Sequence, residues 1–138
     1  MEDVVESLTR GNVTEVKVLL ASIALALGAY QLAVIAVGYG TVRVPFLAPP
    51  PAFTAHRAVG DTIALLLLCT GVMCLSVHGY GERTAHEVAG TALLAVLALK
   101  ISVVRRDFGL GRYLPVLGGT VFALLAVTWA TSAGSFLA

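Results

Sequence analysis

Charged residues are scarce in this chain, and their scarcity argues against a soluble protein. Asp, Glu, Lys and Arg make up 12% of the 138 residues, whereas hydrophobic residues make up 58%. A soluble domain carries about 25% charged residues, so this chain has too little polar surface to face water on all sides. The net charge of +1 and the lack of a basic cluster argue against nucleic acid as a partner.

The chain has only two cysteines, and no cleavable signal peptide is evident in its sequence. Cys69 and Cys74 lie five positions apart in one apolar run, which on a helix turns them about 140° from each other, so they cannot form a disulfide. Neither a zinc pattern nor a haem-attachment motif of the CxxCH type is present, and we interpret both cysteines as small packing residues. The acidic start of the chain differs from the positive start of a signal peptide, so we expect the helices themselves to direct insertion.

What the chain does contain is four long apolar segments. They cover about 16–38, 54–77, 85–104 and 113–136, and a bilayer core needs about 20 apolar residues. Residues 1–11 favour a short surface helix, and Tyr39–Pro51 favours an irregular connection because it holds four of the five prolines. We therefore predict an all-α fold, a single transmembrane domain over residues 1–138. It is an up-down-up-down four-helix bundle preceded by a short N-terminal surface helix.

The basic residues predict an orientation in the plasma membrane. Six lie on or near the first and third connections, namely Arg43, Arg57, Lys100, Arg105, Arg106 and Arg112. The other three lie on the opposite side, namely Arg10, Lys17 and Arg83. Cytoplasmic loops carry an excess of Lys and Arg. We expect the two longer connections to be cytoplasmic and both termini to be outside.

The second and third spans begin with the same pattern. Thr54–Gly60 reads TAHRAVG, and Thr84–Gly90 reads TAHEVAG. The two helices run antiparallel, so the copies lie near opposite membrane faces, as a local pseudo-twofold axis in the membrane plane would place them. Chance similarity between two alanine-rich helices is the alternative.

In each copy a histidine precedes a glycine by four residues, which gives the pattern a mechanical meaning. His56 and Gly60, like His86 and Gly90, share one face of their helix. A glycine beside a histidine lets a flat macrocycle lie against the backbone, and imidazole is a common axial ligand of haem iron.

Two nitrogen-bearing side chains lie along one face of each of these helices, His56 and His78 on the second span and His86 and Lys100 on the third. We call these four residues the polar seam. His78 lies 22 positions after His56, and Lys100 lies 14 positions after His86, so each pair is only about 40° apart around its helix. In an antiparallel pair, His78 comes to the outer level of His86, and His56 to the inner level of Lys100. Ionisable groups at membrane depth are costly and usually functional. The alternatives are interfacial or helix-start histidines and a lysine that snorkels to the headgroups.

Arg57 and Asp61 flank the seam and have two interpretations. They are four positions apart, so they can pair along the helix. Alternatively, Arg57 holds a haem propionate, because a guanidinium suits carboxylates. The candidate cofactor-binding residues are thus Arg57, Gly60, Asp61 and Gly90, and the candidate metal ligands are His56, His78, His86 and Lys100.

These motifs resemble those of the small transmembrane b-type cytochromes, which include cytochrome b561-like and ferric-reductase-like four-helix cores. The resemblance rests on His56, Arg57 and Gly60 and on His86 and Gly90, and it covers the second and third spans. The chain also resembles small four-helix membrane proteins of actinobacteria. The resemblance implies haem b held by two histidines from different helices, with electrons carried across the bilayer.

The chain departs from that family in its number of histidines. Two such haems need four histidines, and this chain has three. Either one haem lies at the outer level between His78 and His86, or a second lies at the inner level with His56 and Lys100, water or no second ligand. A single haem near one face would exchange electrons at that face only.

We therefore predict a membrane-embedded haem b cytochrome that carries electrons at or across the plasma membrane. A quinone or a redox partner protein is the expected exchange partner. Two alternatives stay open, a non-redox accessory or assembly subunit and a small transporter or proton-path component that uses His56, Asp61, His86 and Lys100 as its relay. A homo-oligomer and a subunit of a larger complex are both open, and no motif favours a hydrolase or transferase.

Overall fold

The chain folds into four long helices, as its apolar segments predict. They are α1 (Val13–Gly38), α2 (Pro49–His78), α3 (Ala85–Arg106) and α4 (Leu114–Ser132), and a single 3₁₀ turn, Gly111–Tyr113, leads into α4. Each of the four is long and apolar enough to cross a membrane. The all-α prediction of four spans is confirmed.

The computed structural model describes residues 3–4, 7, 10–46, 49–78, 85–106 and 109–134. The side chains of Pro49, Val77 and His78 lie outside this description. Most of the predicted N-terminal surface helix over residues 1–11 lies outside it too. At the predicted end of that segment the backbone turns, with positive φ at both Arg10 and Gly11.

The start of α2 differs from the prediction. We expected the helix to begin near Thr54, after an irregular connection over Tyr39–Pro51, but it begins at Pro49. The three consecutive prolines occupy its first turn, where backbone N–H groups have no partner within the helix and their loss costs little. Prolines therefore shorten the connection instead of extending it.

The helices pack as a ring in chain order, each antiparallel to the next. α1 packs closely against α2 and α3 against α4, α4 also contacts α1, and α2 and α3 touch only lightly. One buried cluster joins all four helices and consists of Ala24, Ile63, Leu67, Leu93, Leu97, Val121 and Leu125. This arrangement is the predicted four-helix bundle, with the start of α1 and the end of α4 at one side.

Two glycines let large aromatic rings approach α1 closely. A Cβ placed on Gly28 would lie 3.1 Å from the Phe122 ring of α4, and one on Gly38 would lie 3.1 Å from the Phe53 ring of α2. Small residues allow close helix approach in membranes, where van der Waals packing drives association. The Phe53 ring also meets Tyr39 edge-on, at 5.9 Å between centroids.

We expect Gly28→Leu to destabilise the bundle by about 1–3 kcal/mol, because a leucine there overlaps the Phe122 ring and forces α1 and α4 apart. The matched control is Gly119→Leu on α4, whose Cβ would meet nothing within 4 Å. Thermal unfolding in detergent, followed by the fluorescence of Trp129, measures both variants. Equal stability of the two would contradict the α1–α4 contact.

Candidate functional site: two polar layers in the bundle

A buried amide of α1 lies at the centre of the first polar group. Gln31 is buried, and its Nε2 donates a hydrogen bond to the backbone oxygen of His56 on α2, at 2.7 Å. A Cβ on Gly60 would lie 3.1 Å from the same nitrogen. The glycine that follows His56 by four residues therefore makes room for the carboxamide of Gln31.

His56 and Lys100 complete this group from α2 and α3. The Nδ1 atom of His56 is buried and, within the part of the chain that the structure describes, has no hydrogen-bond partner. Lys100 lies toward the same end of the bundle on α3, as residue counts along the antiparallel helices require. Its Nζ lies 3.8 Å from the position of a Cβ on Gly118 of α4. We call Gln31, His56 and Lys100, with Gly60 and Gly118, the loop-side layer, since it lies near the ends of the helices joined by the first and third connections.

A second polar group lies at the opposite end of the bundle. His86, in the first turn of α3, places Nδ1 3.1 Å from the Thr128 carbonyl oxygen and 3.3 Å from Thr131 Oγ1, both on α4. On the same end, Trp129 Nε1 donates to Ser22 Oγ of α1 at 2.9 Å. We call these five residues the termini-side layer.

The surroundings of His86 fix which ring nitrogen carries the proton. A carbonyl oxygen only accepts, and the hydroxyl of Thr131 is oriented toward the carbonyl oxygens of Val127 and Thr128, at 2.9 and 3.1 Å. Both neighbours of Nδ1 are therefore acceptors, so Nδ1 is the protonated nitrogen. In the neutral ring Nε2 then holds the free lone pair.

The two layers are far apart along the bundle. Lys100 and His86 lie on one helix, 14 residues from each other, which is about 21 Å at 1.5 Å per residue. Between them lies the apolar cluster that contains Leu93 and Leu97. A low-dielectric layer thus separates the two polar groups.

The predicted site residues lie toward two ends of the bundle. His56 and Lys100 lie toward the loop-side end, and His86 lies at the other end. A direct contact between His56 and Lys100 stays a prediction. Gly90 faces α4, since its Cβ would lie 3.9 Å from Thr128 Cγ2. The side chain of His78 lies outside the described residues, so its meeting with His86 stays a prediction.

Arg57 and Asp61 are exposed on α2, and no ion pair joins them within the described residues. Of the four residues of the alternative proton relay, Asp61 is exposed on α2 and His86 lies at the opposite end of the bundle from Lys100. Across the described ranges, no group of three or more His, Cys, Asp or Glu side chains could hold a metal ion. A metal ion held by the described residues would therefore have at most two of these side chains as ligands.

Sequence reasoning missed Gln31 and Thr128. Gln31 is the only side-chain amide of α1, and its position in a membrane span is a signal, because a polar group in a membrane helix needs a hydrogen-bond partner. Thr128 binds His86 through its backbone carbonyl oxygen. Because every residue has such an oxygen, the sequence gives no signal for this contact.

Haem b fits the described residues at the termini side better than at the loop side. His86 offers Nε2 as a ligand atom and binds a backbone carbonyl through Nδ1, as metal-ligating histidines generally do. The light contact between α2 and α3 leaves their interface the least packed of the four. At the loop side, by contrast, the side chain of Gln31 fills the space that Gly60 leaves open.

The fold and the two layers define a multi-pass membrane protein, a four-helix bundle with ionisable groups at both ends of an apolar core. Residues 3–138 match a protein family described as "Family of unknown function (DUF6529)", and the chain belongs to that family. No curated protein and no solved structure shows significant similarity to it.

Proposed function

We propose that this protein is a haem b cytochrome of the plasma membrane, with one haem held between α2 and α3 near the termini side and His86 as an axial ligand. The observation that carries the proposal is the hydrogen bond from His86 Nδ1 to the Thr128 carbonyl oxygen. It fixes the tautomer that leaves Nε2 unprotonated, and such a bond raises the basicity of a ligating imidazole. His78, at the end of α2, is the proposed second ligand.

In this proposal each described residue has a limited task. When bound, haem b supplies a centre that accepts and donates one electron. His86 positions that centre at the first turn of α3, and Thr128 and Thr131 keep its ring from rotating. The cluster of Leu93, Leu97 and Leu125 excludes water on the core side.

The exchange partners and the location are part of the same proposal. Both termini lie outside, on the rule that basic residues gather on the cytoplasmic side. A quinone of the bilayer, or a redox protein at the membrane face, gives and takes the electron. A single haem near one face serves that face, because about 21 Å of apolar core separates it from the loop-side layer.

The experiment is an absorption spectrum of the full-length protein, expressed with haem precursor supplied and purified in detergent. We expect a Soret band that sharpens and shifts on reduction with dithionite, because a ferrous bis-imidazole haem absorbs differently from the ferric form. The ratio of haem to protein should be about one, as one axial site predicts.

A preparation that is colourless, and stays colourless when haem is offered to it, would contradict the proposal. The chain would then be a non-redox accessory or assembly subunit. Gly119→Leu serves as a control, because its lipid-facing position should leave the spectrum of a true haem protein unchanged.

A further inference from the structure

Two opposite charges lie on the side of α2 that faces away from the other helices. Arg57 and Asp61 are exposed there, four residues apart. Asp61 also lies deep, because the neighbouring Gly60 meets Gln31, and a Cβ on Gly60 would be 3.1 Å from the Nε2 atom of that amide. Gln31 is seven residues inside the loop-side end of α1, which is about 10 Å. A bilayer core of about 30 Å, centred on this helix of 26 residues and about 39 Å, covers the level of Asp61.

Neither charge is paired within the described part of the chain. Asp61 and Arg57 make no ion pair there, and arginine followed by aspartate is the less favourable order for a pair along one helix. Of the nine Lys and Arg residues, only Arg83 lies outside the described ranges, and it follows Asp61 by 22 positions, beyond the opposite end of α2. A carboxylate that faces lipid is costly. Asp61 therefore needs a cation from outside this bundle.

An exposed apolar stripe continues from the two charges toward the termini side. Leu68 and Leu75 follow Asp61 at intervals of seven residues, the repeat of a coiled-coil seam, and they are 56% and 54% exposed. Leu68 lies between Arg57 and Asp61 around the helix, about 20° from each. We call Arg57, Asp61, Leu68 and Leu75 the outer face of α2. Leu65 lies at its edge, about 60° to one side of Leu68. Lipid tails suit the leucines but not the carboxylate, so the charges decide what covers this face.

We propose that a second copy of this chain covers the outer face of α2, with the two α2 helices parallel about a twofold axis along the membrane normal. Such an axis places the same residue of both copies at the same depth, and it makes every contact twice. Arg57 of one protomer pairs with Asp61 of the other, so the four charges sum to zero. The difference in depth between the two residues, about 6 Å, is within the reach of an extended arginine side chain. The proposal is independent of the haem, which lies between α2 and α3.

The first test is disulfide cross-linking of the full-length protein in native membranes. Cys69 and Cys74 are replaced by alanine, and one cysteine is introduced at a time. Leu68→Cys lies at the centre of the outer face of α2, whereas the control, Val127→Cys, lies on α4 and replaces a residue that is 49% exposed. We expect about tenfold more cross-linked dimer from Leu68→Cys, because a disulfide requires that the two Cα atoms lie within about 7 Å.

The second test asks whether the charges specify the pair. Arg57→Asp and Asp61→Arg are each made together with Leu68→Cys. Each variant alone places like charges on the outer face of α2, so we expect its self-association to weaken about tenfold. Co-expression of the two variants with different tags should restore cross-linking between them, because acidic residues of one copy then meet basic residues of the other. That recovery also shows that both variants insert and fold.

Two results would overturn the proposal. Equal cross-linking at Leu68→Cys and Val127→Cys, including none at either, would assign the outer face of α2 to lipid or to a different protein. The charge pairing would be wrong if each charge variant cross-linked as well as its parent, or if two variants that unfold cooperatively by Trp129 fluorescence failed to pair on co-expression. The comparison of Leu68 with Val127 decides the dimer itself, whatever the charge variants do.

Discussion

His86→Ala is expected to abolish the Soret band of the purified protein. The substitution removes the imidazole whose Nε2 is the proposed axial ligand, and the first turn of α3 holds no second imidazole. The fold should survive, since His86 is only partly buried and its hydrogen bond to the Thr128 carbonyl oxygen contributes about 1 kcal/mol. The haem-to-protein ratio and Trp129 fluorescence, measured on the same sample, separate loss of haem from loss of fold.

The matched control is His56→Ala, the same change at a histidine of the opposite layer. It should keep the Soret band, because the proposed haem lies about 21 Å away at the termini side. Free imidazole added to His86→Ala with haem should restore part of the absorbance, which a purely structural role for His86 would not allow. The reverse pattern, with haem lost from His56→Ala and kept by His86→Ala, would contradict the assignment to the termini side.

Leu125→Ala is expected to produce the largest loss of stability among the core substitutions. Leu125 is 3% exposed and belongs to the cluster that joins all four helices. Its Cδ2 atom lies 3.6 Å from the position that a Cβ would take on Gly28 of α1. Truncating a buried leucine to alanine costs about 2–5 kcal/mol, because it loses contacts and leaves a cavity that neighbours fill only in part. Unfolding in detergent, monitored by Trp129 fluorescence, should show this loss directly.

Leu65→Ala provides the control for Leu125. Leu65 lies on α2 and is 63% exposed, so it faces the surroundings of the bundle. Lipid tails are as apolar as leucine, so truncating it should change the free energy of unfolding by about 0.5 kcal/mol or less. Comparable effects at the two positions would mean that the bundle does not pack around the cluster of Leu125.

The four spans could be predicted because each depends on its own segment alone. A run of about 20 apolar residues satisfies its backbone only as a helix in a bilayer. The predicted start of α2 near Thr54 was wrong for a local reason, since Pro49–Pro51 suit the start of a helix as well as a loop. His56 and Lys100 lie toward the same end of the bundle, because heights along antiparallel helices follow from residue counts, and their direct contact stays a prediction.

The partners of the two repeated motifs could not be predicted in the same way. Periodicity places His56 and Gly60 on one face of α2, but it does not say which neighbour that face meets. In the structure Gly60 meets Gln31 of α1, and Gly90 meets Thr128 of α4. Gly60 thus makes room for Gln31, whereas a Cβ on Gly90 would make an ordinary van der Waals contact with α4.

The sequence by itself determined that this chain has four membrane-crossing helices, the order in which they alternate, and the height of every ionisable group along them. Only the tertiary structure decided how each helix is rotated, and with it the tautomer of His86 and the contact of Gln31 with α2. The physical reason is that helix formation is satisfied within a segment, whereas rotation is set by side-chain packing against all neighbours at once.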